Sequence, residues 1–213
     1  MNEHQKHTPL VKPSWEGSTP YINGLVLAGG KSSRMGEDKS MLSYHGMAQR
    51  DYMLQLVHKI VPDVFLSCHP DRIPQIDYRV IPDTFLDLGP YGGVLSAFRQ
   101  NPNRAWLTVA CDQPLIDESF LNELISQRDP EKIATCYHDP ATGFPEPMIT
   151  IWEPRAYPLL LQFLGEGRSC LRKVLINSDT KQIKTERPEV LRNANTPEDV
   201  MKMKKMLSGE NTL

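Results

Sequence analysis

Residues 105 to 111, Ala-Trp-Leu-Thr-Val-Ala-Cys, carry no charge, and Asp112 and Pro114 end the run. A stretch this apolar and this short reads as a strand covered on both faces, the pattern of a parallel sheet packed between helices. That single run excludes a sheet with one face in water, and the rest of the chain agrees with it. INGLVLA (22 to 28), DVFLSC (63 to 68), YRVIP (78 to 82), KIATCY (132 to 137) and PMITIW (147 to 152) read as further strands. Between them, apolar residues recur at helical spacing: Met53, Leu54, Val57, Ile60 and Val61, then the segment 93 to 100, then Phe120, Leu121, Leu124 and Ile125 behind an Asp117 N-cap. Ala156, Leu159, Leu160, Phe163 and Leu164 mark another amphipathic helix. Near the end Thr196 caps a helix with Pro197 at its first position, Glu198 and Asp199 in its first turn, and Val200, Met203 and Leu207 facing inward.

Strands alternating with helices predict a doubly wound α/β fold with a mostly parallel sheet, and such folds bind ligands beyond the carboxyl ends of their strands. We expect one domain over 21–208, a flexible extension over 1–20 and a short tail over 209–213. The segment from His138 to Met148, with Pro140, Gly143, Pro145 and Pro147, is expected to be an irregular excursion beside the site.

The loop after the first strand carries the chemistry. It reads LAGGKSSRMGEDKS, residues 27 to 40. Gly29 and Gly30 allow positive φ and close backbone approach, successive N–H groups form an anion nest, and Lys31, Arg34 and Lys39 add positive charge. Strand, glycines and cations together describe a polyphosphate cradle; a surface turn with scattered charges is the plainer reading. A Walker A loop is excluded by counting, since the Gly it requires five residues before Gly30 is Leu25 here. The dinucleotide pattern G-x-G-x-x-G also fails, because Lys31 stands two residues after Gly29 and Ser32 two after Gly30.

Leu27, Ala28, Gly29, Gly30, Ser32 or Ser33, Arg34, Met35, Gly36, Asp38 and Lys39 resemble the opening L-A-G-G-x-S-x-R-M-G-x-D-K of a nucleotidyltransferase family. Three other segments extend the likeness: AWLTVACDQP, IPDTFLDLGPYGG, and the Asn193-Ala194-Asn195-Thr196-Pro197-Glu198-Asp199 run. The chain is most similar to the molybdenum cofactor guanylyltransferases, over residues 22 to about 207. The resemblance implies a three-layer Rossmann-like fold of the nucleotide-diphospho-sugar transferase type, Mg²⁺, and transfer of GMP from GTP to molybdopterin with release of pyrophosphate. It implies a nucleotide site at Leu27, Ala28, Gly29, Gly30, Lys39, Asp83, Gly92 and Asp112, catalysis by Arg34, Lys39 and Asp112, and metal on Asp112. It further implies acceptor contacts at Glu146, Arg168, Asn193 and Asn195. Asp112 alone reads equally well as a turn residue before proline, and Asp83 as ordinary loop chemistry. After the strand-like MLSYHG the chain departs from the family's Gly-Lys-Pro-Leu with Gly46-Met47-Ala48-Gln49, where Arg50 is a substitute cation.

Bulk properties narrow the partners. With 24 basic and 26 acidic residues the net charge is -2, which argues against a nucleic-acid or polybasic membrane surface. No apolar run reaches the roughly 20 residues that span a bilayer. Cys68, Cys111, Cys136 and Cys170 show no C-x-x-C spacing, and a reducing cytoplasm is expected. GTP and molybdopterin are the expected partners, with transient contacts to other cofactor-biosynthesis or acceptor proteins. Three readings stay open beside this one: a CTP-using molybdopterin transferase, a sugar-phosphate nucleotidyltransferase, and a non-catalytic nucleotide-binding regulator.

Overall fold

A computed structural model describes residues 19–28 and 39–209, with Lys39 described by its backbone alone. The expected extension over 1–20 therefore lies almost wholly outside the described residues, as does the tail beyond Gly209. So do Gly29, Gly30, Lys31 and Arg34 of the proposed cradle.

Seven strands form one sheet in the order β3-β2-β1-β4-β6-β5-β7. They are β1 (Ile22–Leu27), β2 (Val64–Cys68), β3 (Arg79–Pro82), β4 (Ala105–Ala110), β5 (Ala134–Asp139), β6 (Phe144–Trp152) and β7 (Thr180–Ile183). β1 pairs in parallel with β2 and β4, β2 with β3, and β5 with β7, while β6 runs antiparallel to both β4 and β5. The mostly parallel expectation holds, and β6 is the exception because it returns from β5 through a tight hairpin. Asp139 makes that hairpin compact: its carboxylate accepts from the Ala141 N–H at 2.9 Å and the Thr142 hydroxyl at 2.9 Å. The stretch from His138 to Met148 is thus a hairpin rather than an irregular excursion; Pro145 and Pro147 lie within β6.

The helices are α1 (Gln49–Ile60), α2 (Pro90–Gln100), α3 (Glu118–Ser126), α4 (Ala156–Gly165), α5 (Leu171–Ile176) and α6 (Pro197–Ser208). They cover both faces of the sheet. Successive strand residues point to opposite sides, so Val26 joins a core with Leu54, Val57, Leu121 and Leu124, whereas Leu25 and Leu27 join the opposite core with Val94, Phe98, Leu160 and Val174. The residues of both cores are close to fully buried, which is the three-layer arrangement.

Local chemistry explains several boundaries. Asp117 caps α3 by accepting from the Phe120 N–H at 2.9 Å. Thr196 and Asp199 form a reciprocal capping box at α6. Helix α2 starts at Pro90, three residues before the expected 93, because Gly89 adopts φ 55° and turns the chain into a proline-led first turn. Leu207, expected inward, is 38% exposed, and α6 buries only Val200 and Met203. MLSYHG is not a strand: Ser43 and Ala48 share a single antiparallel bridge around Gly46, which has φ 77°.

Candidate active site

The carboxyl ends of β1, β2 and β3 open onto one cavity of about 470 Å³. Ala28 follows β1, Cys68 and His69 end β2, and Asp83 follows β3; all four line it. Ser40 lines it too. Both described ends of the glycine loop, Ala28 and Ser40, therefore reach the same cavity, so the loop between them begins and ends at its wall. Ala28 is fixed there by its N–H, which donates to the Ser67 carbonyl at 3.0 Å.

Asp83 is held from below. The Ser67 hydroxyl donates to its Oδ1 at 2.8 Å, and its own N–H donates to the Cys68 carbonyl at 2.9 Å. Among the described residues its Oδ2 makes no hydrogen bond. Burial pushes the carboxyl pKa up, with the Ser67 hydrogen bond and the His69 ring opposing the shift. A partly desolvated carboxylate with one oxygen unengaged is a selective acceptor for paired N–H groups.

The rest of the wall comes from the loop between β3 and α2. Asp87 has φ 59° and Gly89 φ 55°, and this double left-handed bend carries Phe85, Leu86 and Pro90 to the cavity. Gly92 is required by packing, whatever it offers a ligand. A Cβ there would stand 2.2 Å from the Phe85 carbonyl oxygen, and one on Gly93 would stand 2.4 Å from the Ser67 hydroxyl. The close approach that these glycines allow is between α2 and its own neighbours, so their role in the cavity is to let the wall close behind it.

Asp112 follows β4, the strand beside β1. The Cys111 N–H donates to the Leu27 carbonyl at 3.4 Å, which ties the two strand ends together. From the other side the Ala194 N–H donates to the Asp112 carbonyl at 2.7 Å. That bond brings the Asn193–Asn195 stretch, far away in sequence, against the carboxylate position. Asn193 keeps its Oδ1 buried with no hydrogen-bond partner among the described residues, and Asn195 is exposed with its N–H on Asp199 Oδ2 at 3.1 Å. Tyr44 joins this group: burial, and then Asp112 and Asp199, raise its pKa to about 12.

Glu146 is 3% exposed and accepts from the Met148 N–H at 2.9 Å; Arg172 Nη2 stands 3.7 Å from its other oxygen. Burial dominates and lifts its pKa to about 7, although the Met148 bond and Arg172 oppose it; Asp112 and Asp139 push in the same direction as burial. Glu146 therefore lies within electrostatic reach of Asp112. Arg168 does not join this cluster. It is ion-paired with Glu166, its guanidinium lies 3.9 Å over the Phe163 ring, and it does not line the cavity.

Tyr44, His69, Asp71 and Arg172 stand at these two sites without a sequence pattern pointing to them. For Arg50 a signal did exist in the departure at Met47-Ala48, which left it as the nearest cation. Among the described residues no group of three His, Cys, Asp or Glu side chains could hold a metal. No disulfide joins the four cysteines. No described helix is long and apolar enough to cross a membrane.

Comparison with known proteins agrees with this geometry. Residues 24–183 match the family described as the MobA-like NTP transferase domain. A molybdenum cofactor biosynthesis bifunctional protein of Synechocystis is 35% identical over 91% of this chain, and the chain spans 58% of that relative's length. A probable molybdenum cofactor guanylyltransferase of Trichormus variabilis is 30% identical, over 84% of this chain and 88% of its own length. Among solved structures, molybdopterin-guanine dinucleotide biosynthesis protein A from Archaeoglobus fulgidus superposes with a TM-score of 0.74 at 18% identity, covering 88% of this chain and 99% of that one. The family match spans most of the chain, and the chain belongs to the MobA-like NTP transferase domain family of nucleotidyltransferases.

Proposed function

We propose that the protein transfers GMP from GTP to the phosphate of molybdopterin and releases pyrophosphate, acting in the cytoplasm. The observation that supports this reading is that both described ends of the glycine loop and Asp83 line one cavity, while Asp112 follows β4, the strand beside β1. The names of the relatives point to the nucleotide and the acceptor.

The reaction forms a bond between an acceptor phosphate oxygen and the α-phosphorus of GTP and breaks the bond from that phosphorus to the bridging oxygen, which leaves with pyrophosphate. The attacking monoester is already ionised near neutral pH, so no general base is needed. Two anions must be brought together, and positioning with charge neutralisation carries the catalysis. Gly29, Gly30 and Lys39 hold the triphosphate. Arg34 and Lys39 take up the charge that accumulates on the leaving pyrophosphate. Asp83 orients the base, and Asn193, Asn195 and Glu146 border the acceptor.

A divalent metal fits the residues present. Mg²⁺ takes one or two carboxylates together with substrate phosphate oxygens; Asp112 supplies such a carboxylate, and the unpartnered Asn193 Oδ1 adds a hard oxygen on the adjoining stretch. When bound there, Mg²⁺ supplies charge neutralisation to the phosphates. Asp112 is thus the metal residue of this reading, and Arg168, paired to Glu166, is its weakest acceptor assignment.

The test is pyrophosphate release from GTP, CTP, ATP and UTP, each with Mg²⁺ and molybdopterin, for the wild type and Asp112→Asn. Turnover with GTP is expected to fall at least about 100-fold in the variant, in line with losing a pre-organised electrostatic group. Turnover with CTP in place of GTP would replace the nucleotide and keep the mechanism. An Asp112→Asn protein that is as active as the wild type would remove Asp112 from catalysis.

A further inference from the structure

The cavity described above sorts its charges by depth. Asp71, Arg72 and Asp87 are exposed at the rim, and His69 is partly exposed. Asp83 lies deeper, and the Arg50 side chain is only 14% exposed. Three carboxylates against two guanidiniums make a poor seat for a triphosphate, and the apolar wall of Ala28, Leu66, Phe85 and Pro90 suits a flat heterocycle. The phosphates are better served by the cationic loop between Ala28 and Ser40. What remains for the cavity is the base.

Arg50 and Asp83 form no ion pair with each other, although both line the cavity. The Cys68 thiol lies within the field of both, raised by Asp83 and lowered by Arg50, with burial the larger effect. An acceptor and a donor therefore line one cavity, both near Cys68, without pairing with each other. The Arg50 Nε–H donates to Asp51 Oδ1 at 2.8 Å, and no other Arg50 hydrogen bond forms among the described residues. That contact fixes the plane of the guanidinium and leaves the two Nη groups as a fork. Gln49, just before Arg50, is fully buried at the start of α1 and anchored by its N–H to the Leu42 carbonyl at 2.8 Å, so the backbone that carries Arg50 is held.

Guanine is the base that presents both complements at once. Its N1–H and N2–H₂ edge donates a pair of hydrogen bonds, and its O6 and N7 accept a pair from a guanidinium fork, a bidentate match to arginine. Adenine offers a donor at the position of O6 and would set N6–H₂ against the fork. We propose that Arg50 is a specificity-determining residue that reads O6 and N7 of guanine while Asp83 takes the N1 and N2 edge. The inference rests on the guanylyltransferase reading above and adds to it the residue that makes the choice of nucleotide. It also gives a physical meaning to the Met47-Ala48-Gln49-Arg50 departure: the cation of this segment sits on α1 and faces the base.

The experiment is calorimetric binding of GTP, 7-deaza-GTP, ITP and ATP to the full chain without acceptor, for the wild type, Arg50→Met and Arg50→Lys. The wild type is expected to bind 7-deaza-GTP, which lacks N7, about tenfold more weakly than GTP, the scale of a bidentate base contact. Arg50→Met should bind the two alike and lose most of its preference for GTP over ATP, while its GTP-to-ITP ratio, which reports N2, stays at the wild-type value. Arg50→Lys should fall between them. A wild type that prefers GTP over ATP yet binds 7-deaza-GTP equally overturns the inference and leaves the guanylyltransferase reading standing, and so does an Arg50→Met or Arg50→Lys protein with the wild-type ratio. A wild type without any guanine preference overturns both. Should Arg50→Met fail to fold, the wild-type pair and Arg50→Lys still decide.

Discussion

Glu146 shows how far burial can outweigh a nearby cation. Arg172 stands 3.7 Å away and is itself 38% exposed, so water screens its charge, whereas the carboxylate is 4% exposed and loses nearly all hydration. Its folded-state pKa of about 7 lies above the ordinary 4.5, so the folded protein holds this proton more tightly than the unfolded chain does. The resulting stability is fully present below about pH 4.5 and is lost as pH rises through about 7. Glu146→Gln, neutral at every pH, is expected to match the wild type near pH 4.5 and to exceed it by about 3 kcal/mol at pH 8. Melting curves of the two proteins across that range check this; parallel curves would show that Glu146 titrates in the folded protein as it does in the unfolded chain. Glu153, just beyond β6, follows the same rule: it is fully buried, and burial raises its pKa although Arg128 opposes the shift with two hydrogen bonds of 2.7 and 2.8 Å.

At the scale of elements, α2 and the loop before it are the least forgiving part of the cleft. The helix lies so close to the preceding loop that a Cβ on Gly92 would meet the Phe85 backbone oxygen at 2.2 Å, and a backbone atom cannot rotate away as a side chain can. Gly92→Ala is expected to cost about 1–3 kcal/mol, the range of overpacking in a close-packed interior, and to move Phe85 at the cavity wall. Denaturant unfolding and GTP affinity together check it. A variant as stable as the wild type, with unchanged affinity, would show that the loop has slack.

Taken as a whole molecule, the cleft is assembled from segments that come together only in the folded chain, so ligand binding and folding are coupled. GTP with Mg²⁺ at about 100 times its Kd is expected to stabilise the fold by about 2.7 kcal/mol, a rise in melting temperature of about 5–10 °C for a domain of this size. Removing Mg²⁺ with a chelator should shrink the shift, and Asp112→Asn should shrink it to the chelated value. A shift indifferent to metal would place the triphosphate's affinity wholly on the cationic loop.

Much of this protein could be read from its residues, and the reason is local. AWLTVAC and INGLVLA are apolar enough on both faces to demand a covered parallel sheet, and the caps at Asp117 and Thr196 are self-contained chemistry within a few residues. The glycine loop's family likeness is likewise a matter of consecutive residues. By contrast β7 reads Thr-Lys-Gln-Ile and α5 spans six residues, so neither carries enough periodicity to be seen; β7 exists because β5 offers it a parallel edge. The antiparallel return of β6 depends on how the Asp139 hairpin closes. Most of all, only the fold could decide that Asp112 and Asn193 are neighbours and that Arg50 faces the same cavity as Asp83. Sequence determines what each segment can become, because propensity, capping and burial act over a few residues. Which side chains share a cleft is set by strand order and helix packing, which couple residues that the chain holds far apart.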